Sequence, residues 1–189
     1  VEGDLLAEAA KAYAKAFELG AKDKDVDPNL QAIADAYYND AFNAYQLGDL
    51  KKASDYFKGA ADVSVLPGCS VKNNDAAYNA AFTALAVKDY NRAEEYYNKC
   101  LADNYTSEGN IYASLSEIAL AKADTLAATN YLATGLTAYP DNASILTNLI
   151  NLYLSTNEDP AKIVELLDEA KKAMPDNPSL YYVEGNIYV

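Results

Sequence analysis

Across 189 residues the chain has no histidine, no tryptophan, one methionine and two cysteines. Without histidine, the commonest general base and the imidazole metal ligand are both missing. Cys69 and Cys100 are too few for a zinc-ligand cluster or a disulfide framework. They allow one bridge or two free thiols, and free thiols are the expectation. Glycine and proline are sparse, at 8 and 6, so little interrupts helices. Positive charge is short as well: 15 Lys and Arg against 28 Asp and Glu leave a formal charge of -13. That balance repels phosphate backbones and anionic lipid surfaces, which argues against nucleic-acid and membrane-surface roles. No run approaches the roughly 20 apolar residues of a spanning helix, and Val1 to Asp4 do not form a signal peptide, so a soluble chain without direct membrane insertion is expected. There is no Gly-rich phosphate loop and no nucleophile elbow. Paired carboxylates such as Glu94-Glu95 fit the solvent edge of a helix better than a glycosidase pair. No enzyme activity, cofactor or metal is expected.

What the chain does have is self-similarity. Tyr38-Asn39-Asp40-Ala41-Phe42 returns as Tyr78-Asn79-Ala80-Ala81-Phe82, and Asp49, Ala53, Tyr56 and Phe57 return as Asp89, Ala93, Tyr96 and Tyr97, an offset of 40 residues. Pro140-Asp141-Asn142 returns as Pro175-Asp176-Asn177, an offset of 35. Ala9, Ala53, Ala93 and Ala128 are each followed four residues on by Tyr13, Phe57, Tyr97 or Leu132, and three further on by Ala16, Ala60, Cys100 or Gly135. Ile163, Leu167 and Ala170 repeat the spacing. Spacings of three and four put such residues on one helical face, where small side chains admit a neighbouring helix. A second helix lies upstream of each, with its own stripe: Tyr37, Ala41, Ala44; Ala77, Ala81, Ala84; Tyr112, Ser116, Ala119; Leu146, Ile150, Tyr153. Between the two, Gly48-Asp49, Lys88-Asp89, Ala123-Asp124 and Asp159-Pro160 offer residues suited to start the next helix. The unit is an αα-hairpin of about 34 residues.

On these residues the chain resembles the tetratricopeptide repeat family over nearly its whole length. The most similar stretch is Tyr181-Tyr182-Val183-Glu184-Gly185-Asn186-Ile187-Tyr188, and Pro140 and Pro175 match the proline that closes the second helix. Only Gly185 supplies the family's first-helix glycine, and the usual tryptophan is Tyr or smaller. The resemblance implies an all-α right-handed superhelix, an α-solenoid of stacked antiparallel hairpins, acting as a protein-binding scaffold. Phased on it, residues 1–189 form one solenoid domain: a lone second helix plus inserted loop (4–33), repeats at 34–73, 74–108, 109–142 and 143–177, and a first helix at 178–189. The unpaired flanking helices suggest a fragment of a longer repeat protein, since stacked repeats need capping elements.

Two connections exceed the template, Ala21 to Asn29 and Val65 to Asn73. Asp23, Asp25 and Asp27 alternate like the opening of a calcium loop, but Pro28 replaces the turn glycine and Ala34 the closing glutamate. A solvated acidic loop is the expectation. Asn104-Tyr105-Thr106 and Asn142-Ala143-Ser144 fit the glycosylation sequon, a pattern short enough to arise by chance.

The family's first helices line the concave face that cradles peptides. Carried over, the groove residues are Asp35, Tyr38, Asn39 and Phe42; Asp75, Tyr78, Asn79 and Phe82; Asn110, Ser114 and Glu117; Thr147, Asn148 and Asn151; and Tyr182 and Asn186. Spans 35–46, 75–86, 110–121, 144–155 and 179–189 contain no Lys or Arg. The family's clamp for acidic carboxyl termini requires those cations, so an extended neutral or basic peptide is the expected ligand. Asn39, Asn79 and Asn148 would pair with its backbone, beside Tyr and Phe platforms; the alternative is that Phe42 and Phe82 pack between helices. A second expectation is homo-oligomerisation through the tyrosine-rich terminal helix.

Overall fold

The computed structural model describes residues 5–156, 160–173, 175, 176 and 178–188. Its order is α1 (Leu5–Glu18), α2 (Asp23–Gln46), α3 (Leu50–Val63), α4 (Asn74–Ala86), α5 (Tyr90–Ala102), a single 3-10 turn (Ser107–Gly109), α6 (Asn110–Ala121), α7 (Thr125–Ala138), α8 (Ala143–Thr156), α9 (Pro160–Ala173) and α10 (Pro178–Ile187). The described residues contain no strand, and successive helices pack as hairpins, which is the expected all-α repeat architecture. Two compact units emerge, one ending at Tyr105 and the other starting at Thr106.

One turn design recurs. Residues Gly48, Lys88 and Ala123 adopt positive φ (78°, 62° and 61°). The next residue's N–H reaches back to the carbonyl of Ala44, Ala84 or Ala119, at 3.0, 2.9 and 2.9 Å, which closes the outgoing helix in a Schellman motif. That next residue is Asp49, Asp89 or Asp124, whose carboxylate accepts from the N–H of Lys52 (3.1 Å), Arg92 (3.2 Å) or Ala127 (2.9 Å) and so caps the following helix. A single aspartate thus ends one helix and starts the next; the sequence led us to expect the second of these roles. The fourth turn, at Asp159, lies outside the described residues.

In the first unit the stripes are buried as spaced: Ala53, Phe57 and Ala60 on α3, Ala93, Tyr97 and Cys100 on α5, Tyr37, Ala41 and Ala44 on α2, and Ala77, Ala81 and Ala84 on α4. Burying Phe57 alone contributes about 2 kcal/mol. On α1 the register differs by one residue. Ala10 and Ala14 are buried, whereas Ala9, Tyr13 and Ala16 are only half-buried. Helix α1 packs mainly on α2 and only lightly on α3, so its contact line is rotated. The outer helices are tied by Asp62, which takes bonds from Lys58 Nζ (2.6 Å) and the Tyr96 hydroxyl (2.5 Å). Burial would raise the Asp62 pKa, but those hydrogen bonds and the Lys58 and Lys99 charges hold it below the ordinary value.

The expected loop at 21–29 is a correction. It is helical from Asp23, so α2 carries additional N-terminal turns through Pro28. The missing proline N–H costs one helical bond, and the Asn29 side chain bonds the Asp25 carbonyl at 2.9 Å close by. These turns are held by the other insertion, residues 64–73, which stays irregular. Asp27 accepts from the Ser70 N–H (2.9 Å) and hydroxyl (2.7 Å), bonds that lower its pKa, and Gln31 Nε2 reaches the same hydroxyl at 3.2 Å. Gly68, at φ +91°, lies so close that a Cβ would stand 2.8 Å from Phe17 and 2.9 Å from Val26. The two insertions are one structural device, and the Asp23–Asp27 segment is helical where an acidic loop was expected.

The second unit has a more aliphatic core. Ala128, Leu132, Ile145, Leu149 and Leu152 cluster with Tyr112, Tyr131 and Tyr139 at the margin, and Leu146, Ile150, Leu167 and Leu180 form a second cluster. Gly135 takes the position that Ala60 and Cys100 take in the first unit. The stripe positions Tyr153, Ile163 and Ala170 lie outside the residues whose side chains are described. Cys69 and Cys100 are free thiols.

Candidate functional site

The outward face of α2 and α4 is built by one sequence written twice. Residues 35–42 and 75–82 both read Asp-Ala-x-Tyr-Asn-x-Ala-Phe. The alanines at 41, 76 and 81 are buried on the inner side, which turns Asp, Asn and Phe outward and leaves the Tyr half-buried at the edge. Phe42 is 51% exposed and Phe82 44%, so neither is sealed between helices. Asp35, Asn39 and Asp75 are exposed, and Tyr38, Tyr78 and Asn79 half-buried.

The rings are fixed by packing. Tyr38 stands edge-on to Phe57, 5.3 Å between centroids. Tyr78 is the hub of α4: Phe82 lies nearly parallel to it (6.4 Å, 13°), Tyr97 edge-on (5.8 Å) and Tyr105 tilted (6.0 Å). The Tyr105 hydroxyl donates to Asp75 Oδ1 at 2.6 Å, a bond to the carboxylate that pushes the phenol pKa well above its usual value. The two copies are joined by Asn79, whose Nδ2 donates to the Tyr38 hydroxyl at 3.3 Å. The Asn79 amide N–H is therefore used between helices, a role its spacing alone did not reveal; Asn39, its counterpart, faces solvent.

Tyr105 was missed by sequence reasoning, which weighed it only within a sequon. The signal was available: it follows Asn104, at φ 58°, and bonds back to the Cys100 carbonyl at 2.9 Å. The residue after such a turn characteristically packs onto the helix it closes.

Electrostatically the face is one-signed. Apart from Lys24 in the early turns of α2, the cations of this unit lie on α1, α3, α5 and the connections. Several are already matched: Arg92 with Asp55 (2.6 Å), Lys99 with Glu95 (2.8 Å) and Lys72 with Asp103. A cavity of about 370 Å³ opens among α1, α2 and α3, lined by Ala7, Ala10, Tyr37, Gly59, Val63 and Leu66 among others; Tyr37 falls within residues 35–42, at a position where the two copies of the cassette differ.

In the second unit the corresponding positions are more polar. Asn110 is exposed and accepts from Asn142 Nδ2 at 3.1 Å. Asn142 Oδ1 also caps α8 through the Ile145 N–H at 3.0 Å, so its side chain is committed to structure and is a poor glycan acceptor. Ser114 and Asn148 are half-buried, while Glu117, Thr147, Asn151 and Tyr182 are exposed. The side chain of Asn186 lies outside the described residues. Among the described residues no three His, Cys, Asp or Glu side chains are grouped to hold a metal, and no helix is long and apolar enough to cross a membrane.

No protein-family model matches the chain. No curated protein matches it either. Solved structures do. The crystal structure of MamA superposes with a TM-score of 0.61 at 18% identity, over 82% of this chain and 80% of that one. YrrB, described as a TPR protein with an unusual peptide-binding site, gives 0.53 at 15% identity, over 95% and 84%. The pilF protein of Pseudomonas aeruginosa gives 0.58 at 14%, over 94% and 90%.

Proposed function

We propose that this chain, whose fold is that of the tetratricopeptide repeat proteins, is a non-enzymatic scaffold that holds an extended neutral or basic peptide of a protein partner on its first-helix face. The observation that carries this is the twice-written cassette with Phe42 and Phe82 half-exposed on pre-packed rings and no Lys or Arg on either helix from residue 35 to 46 or 75 to 86. Rigid aromatic area supplies contact energy at low entropic cost. The exposed Asn39 amide and the Asn79 carbonyl oxygen offer backbone partners. Asn110, Ser114, Glu117, Thr147, Asn148, Asn151 and Tyr182 give the second unit a more polar version of the same face. YrrB, a structural neighbour described as having a peptide-binding site, supports the reading by analogy of fold.

The test is calorimetry with peptides selected on the chain from a random display library, comparing the parent with Phe42→Ala plus Phe82→Ala. Both rings are half-exposed, so the circular dichroism should persist while affinity falls at least about tenfold. Binders indifferent to both substitutions, or a library that yields none, would overturn it. Self-association through α10 is a second reading, favoured by Tyr182 and Tyr188 at 73% and 70% exposure. Light scattering that shows a monomer at high concentration rules it out.

A further inference from the structure

The cavity among α1, α2 and α3 lies within the first unit and takes in neither Phe42 nor Phe82, so the peptide-binding face does not account for it. Nor is its lining what the repeat supplies. Along the packing stripe the 40-residue offset holds, with Ala53, Phe57 and Ala60 returning as Ala93, Tyr97 and Cys100. Around the cavity it breaks: Tyr37, Gly59, Val63 and Leu66 are answered by Ala77, Lys99, Asp103 and Thr106. The tyrosines differ as well. Tyr96 is fully buried and bonded to Asp62, whereas Tyr56, forty residues earlier, is half-buried and stands on the cavity wall.

Gly59 shapes the space. Glycine in a helix interior is destabilising relative to alanine, but a Cβ here would stand 2.9 Å from Tyr37 Cδ1 and Cε1. The missing side chain lets the buried Tyr37 ring lie against α3 as a floor, tilted 45° to the Tyr56 ring at 6.3 Å between centroids. From α1, which packs only lightly on α3, Ala7 and Ala10 present no more than methyl groups. An apolar cavity of about 150 Å³ is enough to admit benzene. At about 370 Å³, and with a mouth to solvent, this one has room for about two or three rings.

The rim sets the charge of what enters. Lys11 is matched with Glu8 (2.8 Å), Lys58 with Asp62 (2.6 Å) and Asp55 with Arg92 (2.6 Å), so each charged lining residue already has an opposite charge beside it. Lys52 Nζ stands over the Tyr56 ring at 5.5 Å, which disfavours a second cation there. An anion meets the net charge of -13. We propose that this cavity is a binding site for a neutral aromatic small molecule of about two or three rings, packed against Tyr37 and Tyr56. A single concave site with no second copy along the chain suits a compact molecule rather than an extended peptide.

The experiment uses the whole chain and two dyes that brighten in apolar surroundings: phenylnaphthylamine, which is neutral, and anilinonaphthalenesulfonate, the same skeleton with an anionic group. The neutral dye should bind once per chain and at least about tenfold more tightly than the sulfonate. Ala7→Leu puts a larger side chain into the space at little cost in helix propensity, and should weaken the neutral dye about tenfold with an unchanged circular dichroism spectrum. Leu66→Ser, outside the helices, removes an apolar wall and should weaken it about threefold or more. Phe42→Ala plus Phe82→Ala should leave it unchanged. No binding of the neutral dye, equal affinity for the sulfonate, or indifference to both Ala7→Leu and Leu66→Ser overturns the inference. Loss of the dye in the Phe42 and Phe82 double variant alone would place it on the first-helix face, and the inference falls while that face stands.

Discussion

Cys100 and Cys69 show what a single residue's surroundings decide. Cys100 is fully buried in the stripe of α5, and burial, with Asp103 nearby, pushes its pKa up to about 11. Cys69 sits half-buried in the 64–73 segment, its pKa raised chiefly by desolvation as well. Neither is an activated nucleophile, which fits a structural role. At about pH 8 a thiol reagent should titrate one thiol per native chain, Cys69, and the second only in denaturant. Two fast thiols in the native protein would contradict the packing of α5. The sign for stability follows: the folded state favours the protonated Cys100 thiol, so its contribution is intact below the unfolded thiol pKa, 9.0, and is lost as pH rises from there through about 11. The sequence placed Cys100 in a stripe of small residues, which is why its burial was legible; what holds Cys69 was not, because it depends on Asp27 and Val26 meeting a loop some forty residues away.

Helices were the most legible level. The stripes and the caps Asp49, Asp89 and Asp124 could be placed from spacing because they depend on contacts within a few residues. The N-terminal extension of α2 could not: Pro28 and three aspartates argue locally for a loop, and the bonds to Ser70 that hold it helical are remote in sequence. The rotated α1 escaped for a like reason, since its register is set by what it packs against. Gly135 marks a place where α7 packs closely on α6 and α8. A Cβ there would lie 2.7 Å from Tyr112 Cβ and 2.8 Å from Ile145 Cδ1, closer than real contacts allow. One of those atoms is anchored directly to the α6 backbone, so relief requires α6 and α7 to part. Gly135→Ala should destabilise the protein by about 1–3 kcal/mol despite alanine's better helix propensity. Chemical denaturation checks this, and a neutral or stabilising result would mean that the α6–α7 pair can spread without penalty. Ala60, at the equivalent place on α3, shows that the fold tolerates a Cβ there where the neighbour is placed differently.

At the scale of the whole chain, the 40-residue offset lies within the first compact unit and the 35-residue offset within the second, so the sequence held the division without announcing it. The ring contacts of the candidate site were less legible, because Tyr97 and Tyr105 reach Tyr78 from another helix and a turn. Charge belongs to this scale as well. No histidine is present, so apart from the terminal amine no group of ordinary pKa titrates between about pH 5 and 8. The melting temperature should therefore be nearly flat across that window. It should fall below the ordinary carboxylate value of 3.8, where Asp62 loses the ion pairs and hydrogen bonds that depress its pKa. Its contribution is present above that value and lost as pH drops further, moderated by its partial exposure. Near neutrality a net charge of -13 makes the compact state repel itself, whereas its exposed ion pairs, such as Lys11 with Glu8 and Lys15 with Glu18, are each worth at most about 1 kcal/mol. Adding salt weakens both, but self-repulsion sums over every pair of like charges and is the larger effect. Raising the ionic strength from about 0.01 M, where the screening length is about 30 Å, to about 1 M, where it is about 3 Å, should therefore raise the melting temperature. Sodium chloride is the salt to use, since sulfate would also strengthen apolar burial. A fall instead would show that the surface ion pairs outweigh the repulsion.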